Sequence, residues 1–280
     1  MDADELLRQY AAGERDFRNA ELQGVSLVGV DLSTANLRGA NLTGANLTSA
    51  CLEFVNFREA NLAQASLRGT NLCEANLIAS NLMQANLSEA NLYNASLRAS
   101  NLIEANLTGT NLTEAILNEA NLREANLSRA KLIETSLSRA NLSNAVLAGA
   151  VLEGANLTNA ILIGTNLKGA NLSKALLTGA NLTGANLSQG DLSRVKANGT
   201  NLANAILIGA NLRGASLCWT TLRGANLTGA NLYRAKLSWS NLTGAILASA
   251  VLLDANLNQI TLRDTNLTGA IMPDGANYHQ

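Results

Sequence analysis

Apolar residues recur at every fifth position along almost the whole chain. From Phe17 to Met272, each residue number ending in 2 or 7 carries an apolar side chain, fifty-two times without a change of phase. Leu fills forty-eight of these central positions, and the exceptions are Phe17, Phe57, Ala197 and Met272. The residue two places before each centre is Ala in thirty-five quintets, so the repeating unit reads Ala-Asn-Leu followed by two variable residues.

A period of five fits neither regular element. Five residues turn an α-helix through about 500°, so successive Leu side chains would wander around its surface instead of forming a stripe. In a straight strand, an odd spacing places alternate Leu side chains on opposite faces. The pattern therefore predicts that the backbone bends once per quintet, with Leu and the small residue two before it facing a common interior.

The repeat Ala-Asn-Leu-x-x, as in residues 45–49, resembles that of the pentapeptide-repeat family, and the likeness covers residues 15–272. The segment from Leu7 to Phe17 also resembles the leader of cyanobacterial-type members. The resemblance implies an all-β solenoid, a right-handed quadrilateral parallel β-helix in which four quintets make one coil. Fifty-two quintets then make about thirteen coils.

Asn stands directly before the centre in twenty-eight quintets. Its side-chain amide can bond the turn backbone or form a ladder with the Asn of the next coil. We interpret these Asn residues as structural.

The first fourteen residues lack the repeat and predict an N-terminal capping helix. Either Asp2 or Asp4 can cap its first turn, and Gly13 closes it. The apolar residues between them have helical spacing; they are Leu6, Leu7, Tyr10 and Ala11. We expect residues 1–14 to cover the open edge of the first coil, because unpaired strand edges invite association.

Residues 273–280 form a C-terminal tail after the β-helix of residues 15–272. Pro273 ends the repeat, because proline lacks the amide hydrogen needed for a further ladder bond, and Asp274-Gly275 is a turn pair. Two ways to cover the last coil are open. Either Tyr278 plugs it, or it is buried against a second copy, which would make a homodimer through the C-terminal end.

One quintet departs from the inward pattern. Its centre is Ala197, and a larger residue, Val195, occupies the small position. Either Val195 restores the volume lost at Ala197, or the corner bulges and shapes a binding surface. Because the phase is kept on both sides, no loop is inserted here.

Catalytic and metal-binding sets of residues are sparse, which argues against an enzyme. The only His is His279, in the tail, so the repeat region has no Ser-His-Asp, Cys-His or multi-His constellation. Cys51, Cys73 and Cys218 form no Cys-x-x-Cys pair and are predicted to be free thiols.

Acidic residues do lie one coil apart, Glu104 with Glu124 and Glu114 with Glu134. Paired carboxylates are used in acid–base catalysis, but basic residues nearby favour a solvated charge ladder. We predict no catalytic residue, no metal site and no cofactor.

Charge and hydropathy limit the partners. With 20 basic and 21 acidic residues the net charge is −1, so we expect no direct binding of nucleic acid. No long apolar run predicts a membrane span, and we expect no membrane partner. Because no signal-peptide pattern is present either, we expect a cytoplasmic protein.

Two groups of outward residues are candidate partner-binding sites. The first, here called the arginine column, occupies the position after the centre on one side of successive coils, with Ile78 interrupting it. Its members are Arg18, Arg38, Arg58 and Arg98. Because stacked like charges repel, these arginines are either neutralised locally, for instance by Glu59, or available to an anionic partner.

The second group, here called the tryptophan patch, collects large aromatic residues near the C-terminal end. Trp219 and Trp239 occupy the same quintet position one coil apart, so we expect their rings to stack on the outside. The other members are Tyr233, Arg213, Arg234 and Lys236. Exposed Trp, Tyr and Arg are typical of energetic hot spots in protein interfaces. The alternative is that the indoles merely cover one another and the backbone.

These patterns predict a non-enzymatic interaction protein, a rigid scaffold that presents columns of side chains to a protein partner. The resemblance implies two more specific alternatives. Some family members mimic DNA and protect DNA gyrase, although their strongly acidic surface differs from this nearly neutral chain. Another member regulates cyanobacterial cell differentiation through contact with a transcription factor, and it resembles this chain in residues 10–13 and 269–275.

Overall fold

The computed structural model describes residues 1–278 as one helix followed by turns and single-residue bridges. Helix α1 spans Ala3–Ala11. From residue 16 onward each quintet contributes one bridge residue, the central residue, two turn residues and the small residue. Over residues 1–278 no strand extends beyond its single bridge residue. The chain divides into two compact units, Met1–Asn141 and a second unit that begins at Leu142.

Helix α1 begins after Asp2, one of its two predicted caps. The Asp2 oxygen Oδ1 accepts the amide hydrogen of Glu5, with an N···O distance of 2.8 Å. Acidic residues in the first turn and Arg8 in the last turn complement the helix dipole. Gly13 follows the helix with φ of 97°, a left-handed conformation that ends it.

One side of α1 packs on the start of the repeat. Leu6 is fully buried, and the Tyr10 hydroxyl donates a 2.9 Å hydrogen bond to the carbonyl oxygen of Ser33. The N-terminal amino group donates to the carbonyl oxygen of Glu21. Ala11 was expected on the same apolar side but is exposed, because it lies about 140° around the helix from the buried Leu6. The helix thus covers the first coil, whose four central residues are all buried.

In the first unit, residues twenty apart pair in parallel. Asn36 bridges to Asn56, and Asn56 bridges to Asn76. The amide of Leu37 donates to the carbonyl oxygen of Asn56 at 2.8 Å, and the amide of Asn56 donates to that of Ala35 at 2.9 Å. One coil therefore contains four quintets, and successive coils stack as in a parallel β-helix.

The second unit repeats this architecture. Asn181 bridges to Asn201, and Asn201 bridges to Thr221, again in parallel and twenty residues apart. The amide of Leu202 donates to the carbonyl oxygen of Thr221 at 2.7 Å. Both units are therefore solenoids of the β-helix class.

The interior consists of the central residues and the small residues two places before them. Leu47 and Ala45, for example, are both fully buried. Buried hydroxyls at the small position donate to backbone carbonyl oxygens, as Thr70 does to Leu47 at 3.0 Å and Ser80 does to Leu77 at 2.8 Å. Among the described residues no buried side-chain nitrogen or oxygen lacks a partner. The predicted inward positions are confirmed.

The Asn residues before the centres connect neighbouring coils and also hold the turns. Asn81 donates from Nδ2 to Oδ1 of Asn61 at 3.0 Å, and its own Oδ1 accepts from Asn101 at 3.2 Å. The same oxygen accepts the amide hydrogen of Met83, with an N···O distance of 3.3 Å. Both interactions predicted for these Asn residues occur.

Each coil corner requires a backbone conformation that most residues avoid. The second turn residue of the quintets has positive φ, for example 56° at Glu104 and 59° at Asn144. Residues other than glycine are sterically strained in this conformation, since their Cβ atom crowds the backbone. The bulkiest residues at such corners are Trp219 and Trp239, with φ of 61° and 65°.

The quintet centred on Ala197 keeps the regular backbone. Val195 and Ala197 are both buried. The amide of Ala197 donates to the carbonyl oxygen of Ser216 at 2.8 Å, and Lys196 bridges to Leu176 and to Ser216. Large and small side chains have therefore changed places inside the coil, and the repacking interpretation is confirmed over that of a bulged corner.

The C-terminal tail folds back on the last quintet. Asn277 forms an antiparallel bridge with Ile271, and the amide of Tyr278 donates to the carbonyl oxygen of Ala270 at 2.8 Å. The tail backbone thus covers part of the last edge, but Tyr278 is exposed, so its side chain does not form the predicted plug. Three of the last four central residues are nevertheless only partly buried.

Candidate functional site

Trp219 and Trp239 stack on the outside of the second unit, as their spacing predicts. Their ring centroids are 5.0 Å apart, and the ring planes differ by 3°. The two residues are 64% and 52% exposed. Because the corner conformation directs both side chains away from the interior, the two rings form an exposed aromatic surface.

Tyr233 lies in contact with two arginines. The guanidinium carbon of Arg213 is 5.1 Å from the centre of the Tyr233 ring, and that of Arg234 is 4.8 Å from it. Arg234 also pairs with Asp254 at 3.2 Å, Nε to Oδ2. Tyr233 is half-buried, and its ring lies within cation–π distance of both guanidinium groups.

The side of the coil that carries the two indoles is positively charged. Lys196, Ser216 and Lys236 form successive bridges on it. Both lysines are exposed, and in residues 1–278 neither takes part in an ion pair. Arg213 on the neighbouring side has no carboxylate partner among the described residues either. The tryptophan patch therefore combines stacked aromatic rings with unpaired cations.

The two ends of the indole stack differ. In steps of twenty residues, Gln259 follows Trp239 at the same corner, whereas Gly199 and Gly179 precede Trp219. A Cβ atom placed on Gly199 would meet no atom within 4 Å. One face of the Trp219 ring therefore borders on open space. The sequence reasoning missed this space, although the order Gly, Gly, Trp, Trp at one corner was available to it.

The arginine column is paired with carboxylates along its length. All four members have an acidic partner within 3.6 Å: Arg18 with Asp16, Arg38 and Arg58 with Glu59, and Arg98 with Glu119. Hydrogen bonds from Arg38 and Arg58 hold the pKa of the Glu59 carboxyl below its ordinary value. The geometry matches local neutralisation, and contact of the column with a partner stays a prediction.

The stacked carboxylates lack the environment of catalytic acids. Glu104 accepts a hydrogen bond from the side-chain amide of Gln84 at 2.8 Å, and Glu114 accepts one from the Tyr93 hydroxyl at 3.1 Å. The bond to Glu114 raises the pKa of Tyr93. These exposed contacts are typical of a solvated ladder.

The three cysteines are free thiols, as predicted, and the structure places them half-buried. Burial raises the pKa of the Cys73 thiol, and the nearby Glu53 and Glu74 raise it further. A thiol with a raised pKa stays protonated at neutral pH, so Cys73 is a weak nucleophile and a weak metal ligand.

Within residues 1–278 no group of three His, Cys, Asp or Glu side chains is placed to hold a metal ion. His279 lies outside the described residues. None of the helical segments between residues 1 and 278 has the length and apolar character needed to span a membrane.

Comparison with known proteins shows repeats of the same kind over most of the chain. The family model for pentapeptide repeats matches in overlapping segments that together run from residue 16 to residue 248: 16–53, 50–89, 90–129, 125–162, 135–173, 160–196, 175–214, 185–224 and 210–248. No curated protein sequence matches significantly.

Solved structures of similar proteins include HetL, a pentapeptide repeat protein involved in heterocyst differentiation regulation from the cyanobacterium Nostoc sp. strain PCC 7120. HetL is 35% identical over 99% of this chain and 100% of its own, with a TM-score of 0.26. The pentapeptide repeat protein alr5209 from Nostoc is 38% identical over 36% of this chain and 80% of its own, with a TM-score of 0.34. QnrB1, a plasmid-mediated fluoroquinolone resistance protein, is 18% identical over 69% of this chain and 86% of its own, with a TM-score of 0.34.

The repeat matches span well over half of the chain. This chain belongs to the pentapeptide repeat family.

Proposed function

We propose that this chain is a non-enzymatic interaction scaffold that binds a protein partner through the tryptophan patch. The observation that carries the proposal is the exposed stack of Trp219 and Trp239, with ring centroids 5.0 Å apart, on the same side as Lys236, which forms no ion pair within residues 1–278. Large exposed aromatic groups with neighbouring cations are the composition of interface hot spots. Since both indoles lie outside the interior, the fold does not need them for its core.

The corner positions of the indoles add to this argument. Glycine occupies the same kind of corner in many quintets, and it does so without strain. A Trp at such a corner adds exposed apolar surface that is not offset by burial in the interior. A partner that covers the indoles would supply the missing burial.

Regulation of cell differentiation through contact with a transcription factor is a more specific candidate. The 35% identity to HetL over nearly the whole chain supports it. Protection of DNA gyrase by mimicry of DNA is the other candidate, and the balance of 20 basic and 21 acidic residues does not favour it. For either function we infer a cytoplasmic protein with a direct protein partner.

For the fold as a whole we propose the right-handed quadrilateral form with about thirteen coils, which the family resemblance implies. Its segments are the cap of residues 1–14, the β-helix of 15–272 and the tail of 273–280. A homodimer through the C-terminal end stays a prediction, supported by the partly exposed central residues of the last coil.

Affinity capture from the lysate of the source organism tests the proposed function. The bait proteins are the wild type, a Trp219→Ala/Trp239→Ala double variant, and a matched control, Ile163→Ala/Ile208→Ala, which removes exposed apolar side chains elsewhere on the second unit. We expect at least one protein to be captured by the wild type and the control but not by the Trp variant. Equal capture by all three, with folding verified by circular dichroism, would contradict the proposed role of the patch.

A further inference from the structure

One corner of the second unit carries side chains in an order that is complementary to itself. At steps of twenty residues the corner holds Gly179, Gly199, Trp219 and Trp239. The two indoles repeat at 5.0 Å, close to the spacing of the coils that carry them. Two ring-bearing layers are thus preceded, at the same spacing, by two layers whose corner residue has no side chain.

We propose that a second copy of this chain docks antiparallel on this corner and seats its two indoles over Gly199 and Gly179. A two-fold axis that passes midway between the layers of Gly199 and Trp219 places Trp219 of the second copy over Gly199, and Trp239 of the second copy over Gly179. The operation is reciprocal, as a two-fold interface requires. The result is one continuous stack of four indoles. This inference rests on the proposed function in one respect, that the tryptophan patch is a protein-contact surface.

The corner is open at Gly199, where the first incoming ring would lie. A Cβ on Gly199 would meet no atom within 4 Å. At Gly179 the neighbouring atoms belong to the side chain of Asn159, which is exposed and therefore free to turn aside. The free face of Trp219 gains an aromatic partner in the dimer, and offset stacking of such rings is favourable beyond the area that it buries.

Neighbouring residues on the same side are compatible with the antiparallel register. The two-fold axis sets Cys218 opposite Asn198, and Ser238 opposite Thr178, so the flanks of the stack are neutral and polar. It also sets Lys196 opposite Ser216 of the second copy, so no two like charges face each other directly.

The lysines give the interface a characteristic dependence on salt. Within residues 1–278 neither Lys196 nor Lys236 forms an ion pair, so the dimer gathers four cations without an acidic partner among the described residues. Salt screens this repulsion, and association should therefore strengthen as ionic strength rises. An anionic partner at the same surface would show the opposite dependence.

Sedimentation velocity of the full chain over a range of concentrations measures the association. The chain has only two Trp residues, so near-ultraviolet circular dichroism and Trp fluorescence report on this stack alone. We expect dimer formation at high concentration with a parallel change in both Trp signals. The contact is confined to one corner, so the dimer should be weak compared with interfaces of standard size.

Filling the open space provides the decisive variant. Gly199→Gln should block the incoming ring and weaken dimerisation about tenfold or more. The corner accepts glutamine, because Gln259 occupies the same corner with φ of 58°. The matched control is Gly229→Gln, which has the same corner conformation and open surroundings on a different corner, where Gln189 already occurs.

Dimerisation that survives Gly199→Gln would place the interface elsewhere and overturn the inference, and so would association that weakens with added salt. If Gly199→Gln fails to fold, Trp239→Ala replaces it and should also weaken dimerisation about tenfold or more. A wild type that stays monomeric at every concentration would refute self-docking. Trp-dependent capture of another protein would in that case still support the proposed function, so the two proposals fail separately.

Discussion

At the residue scale, each position of the quintet has one physical task. The central Leu fills the interior, and the residue two before it must be small or able to bond a carbonyl group, as Thr110 does with Leu87 at 2.9 Å. The second turn residue accepts a left-handed conformation and points outward. A side chain is therefore structural or available to a partner according to its place in the quintet, more than its chemical type.

Variants at two positions of one quintet test this distinction between structural and outward positions. Leu237→Ala should lower the free energy of unfolding by about 2–5 kcal/mol, because it leaves a cavity around a fully buried position. Trp239→Ala, two residues away and half exposed, should change it by about 1 kcal/mol or less. Urea unfolding followed by far-ultraviolet circular dichroism measures both. Equal losses would show that the indole stack is a structural element.

At the scale of the coil, isolated bridges replace strands, and side-chain amides add connections between coils. Asn61, Asn81 and Asn101 form one such ladder, with amide-to-amide distances of 3.0 and 3.2 Å. The Asn side chains of the ladder accept hydrogen bonds from backbone amides of the turns, and they also connect each coil to the next. It compensates for the short pairing that a bend in every quintet imposes.

Interrupting a ladder should therefore cost stability. Asn81→Ile removes the bonds to Asn61, Asn101 and the amide of Met83, and we expect a loss of about 1–3 kcal/mol in the free energy of unfolding. The reverse change, Ile206→Asn, supplies the matched control, since Ile206 bridges Asn186 and Asn226. That variant should be neutral or more stable in the same urea titration. A destabilised Ile206→Asn would contradict the ladder argument.

At the scale of the whole molecule, charge is balanced in number but not in distribution. The carboxyls whose pKa is lowered all lie in the first sixty residues: Glu5, Glu14, Asp16, Asp31 and Glu59. Arg18 is the main cause at Asp16, and Arg38 is the main cause at Glu59. Electrostatic support is thus concentrated in the first unit.

Acid should therefore loosen the first unit before the second. A lowered pKa in the folded state means that the stabilisation is present above the ordinary values of 3.8 for Asp and 4.5 for Glu, and is lost as the pH falls through the lowered values. Hydrogen exchange of the two units, compared above and below this range, measures the effect. We expect a small difference, because these groups are exposed. Glu59→Gln should reduce the difference in protection between the two units. Faster loss of protection in the second unit would contradict the argument.

Much of the candidate site was predictable, because positions twenty residues apart stack once the coil length is known. The stacking of Trp219 on Trp239 followed from this rule, as did the proximity of Arg38 to Glu59. The open face of the Trp219 ring over Gly199 was not predicted from this rule, because the candidate sites were chosen by their side chains and glycine has none. The repacking at Ala197 was one of two interpretations, and only the continuous backbone hydrogen bonds decided between them.

The sequence by itself determined the interior of this protein, because a phase kept through fifty-two quintets leaves one consistent way to bury the central residues. Tertiary structure alone decided which outward charges pair, as Arg18 does with Asp16, and how the tail meets Ile271. The physical reason is that burial of Leu is large, repeated and independent of side-chain detail, whereas pairing of exposed groups depends on distances that a repeat does not specify.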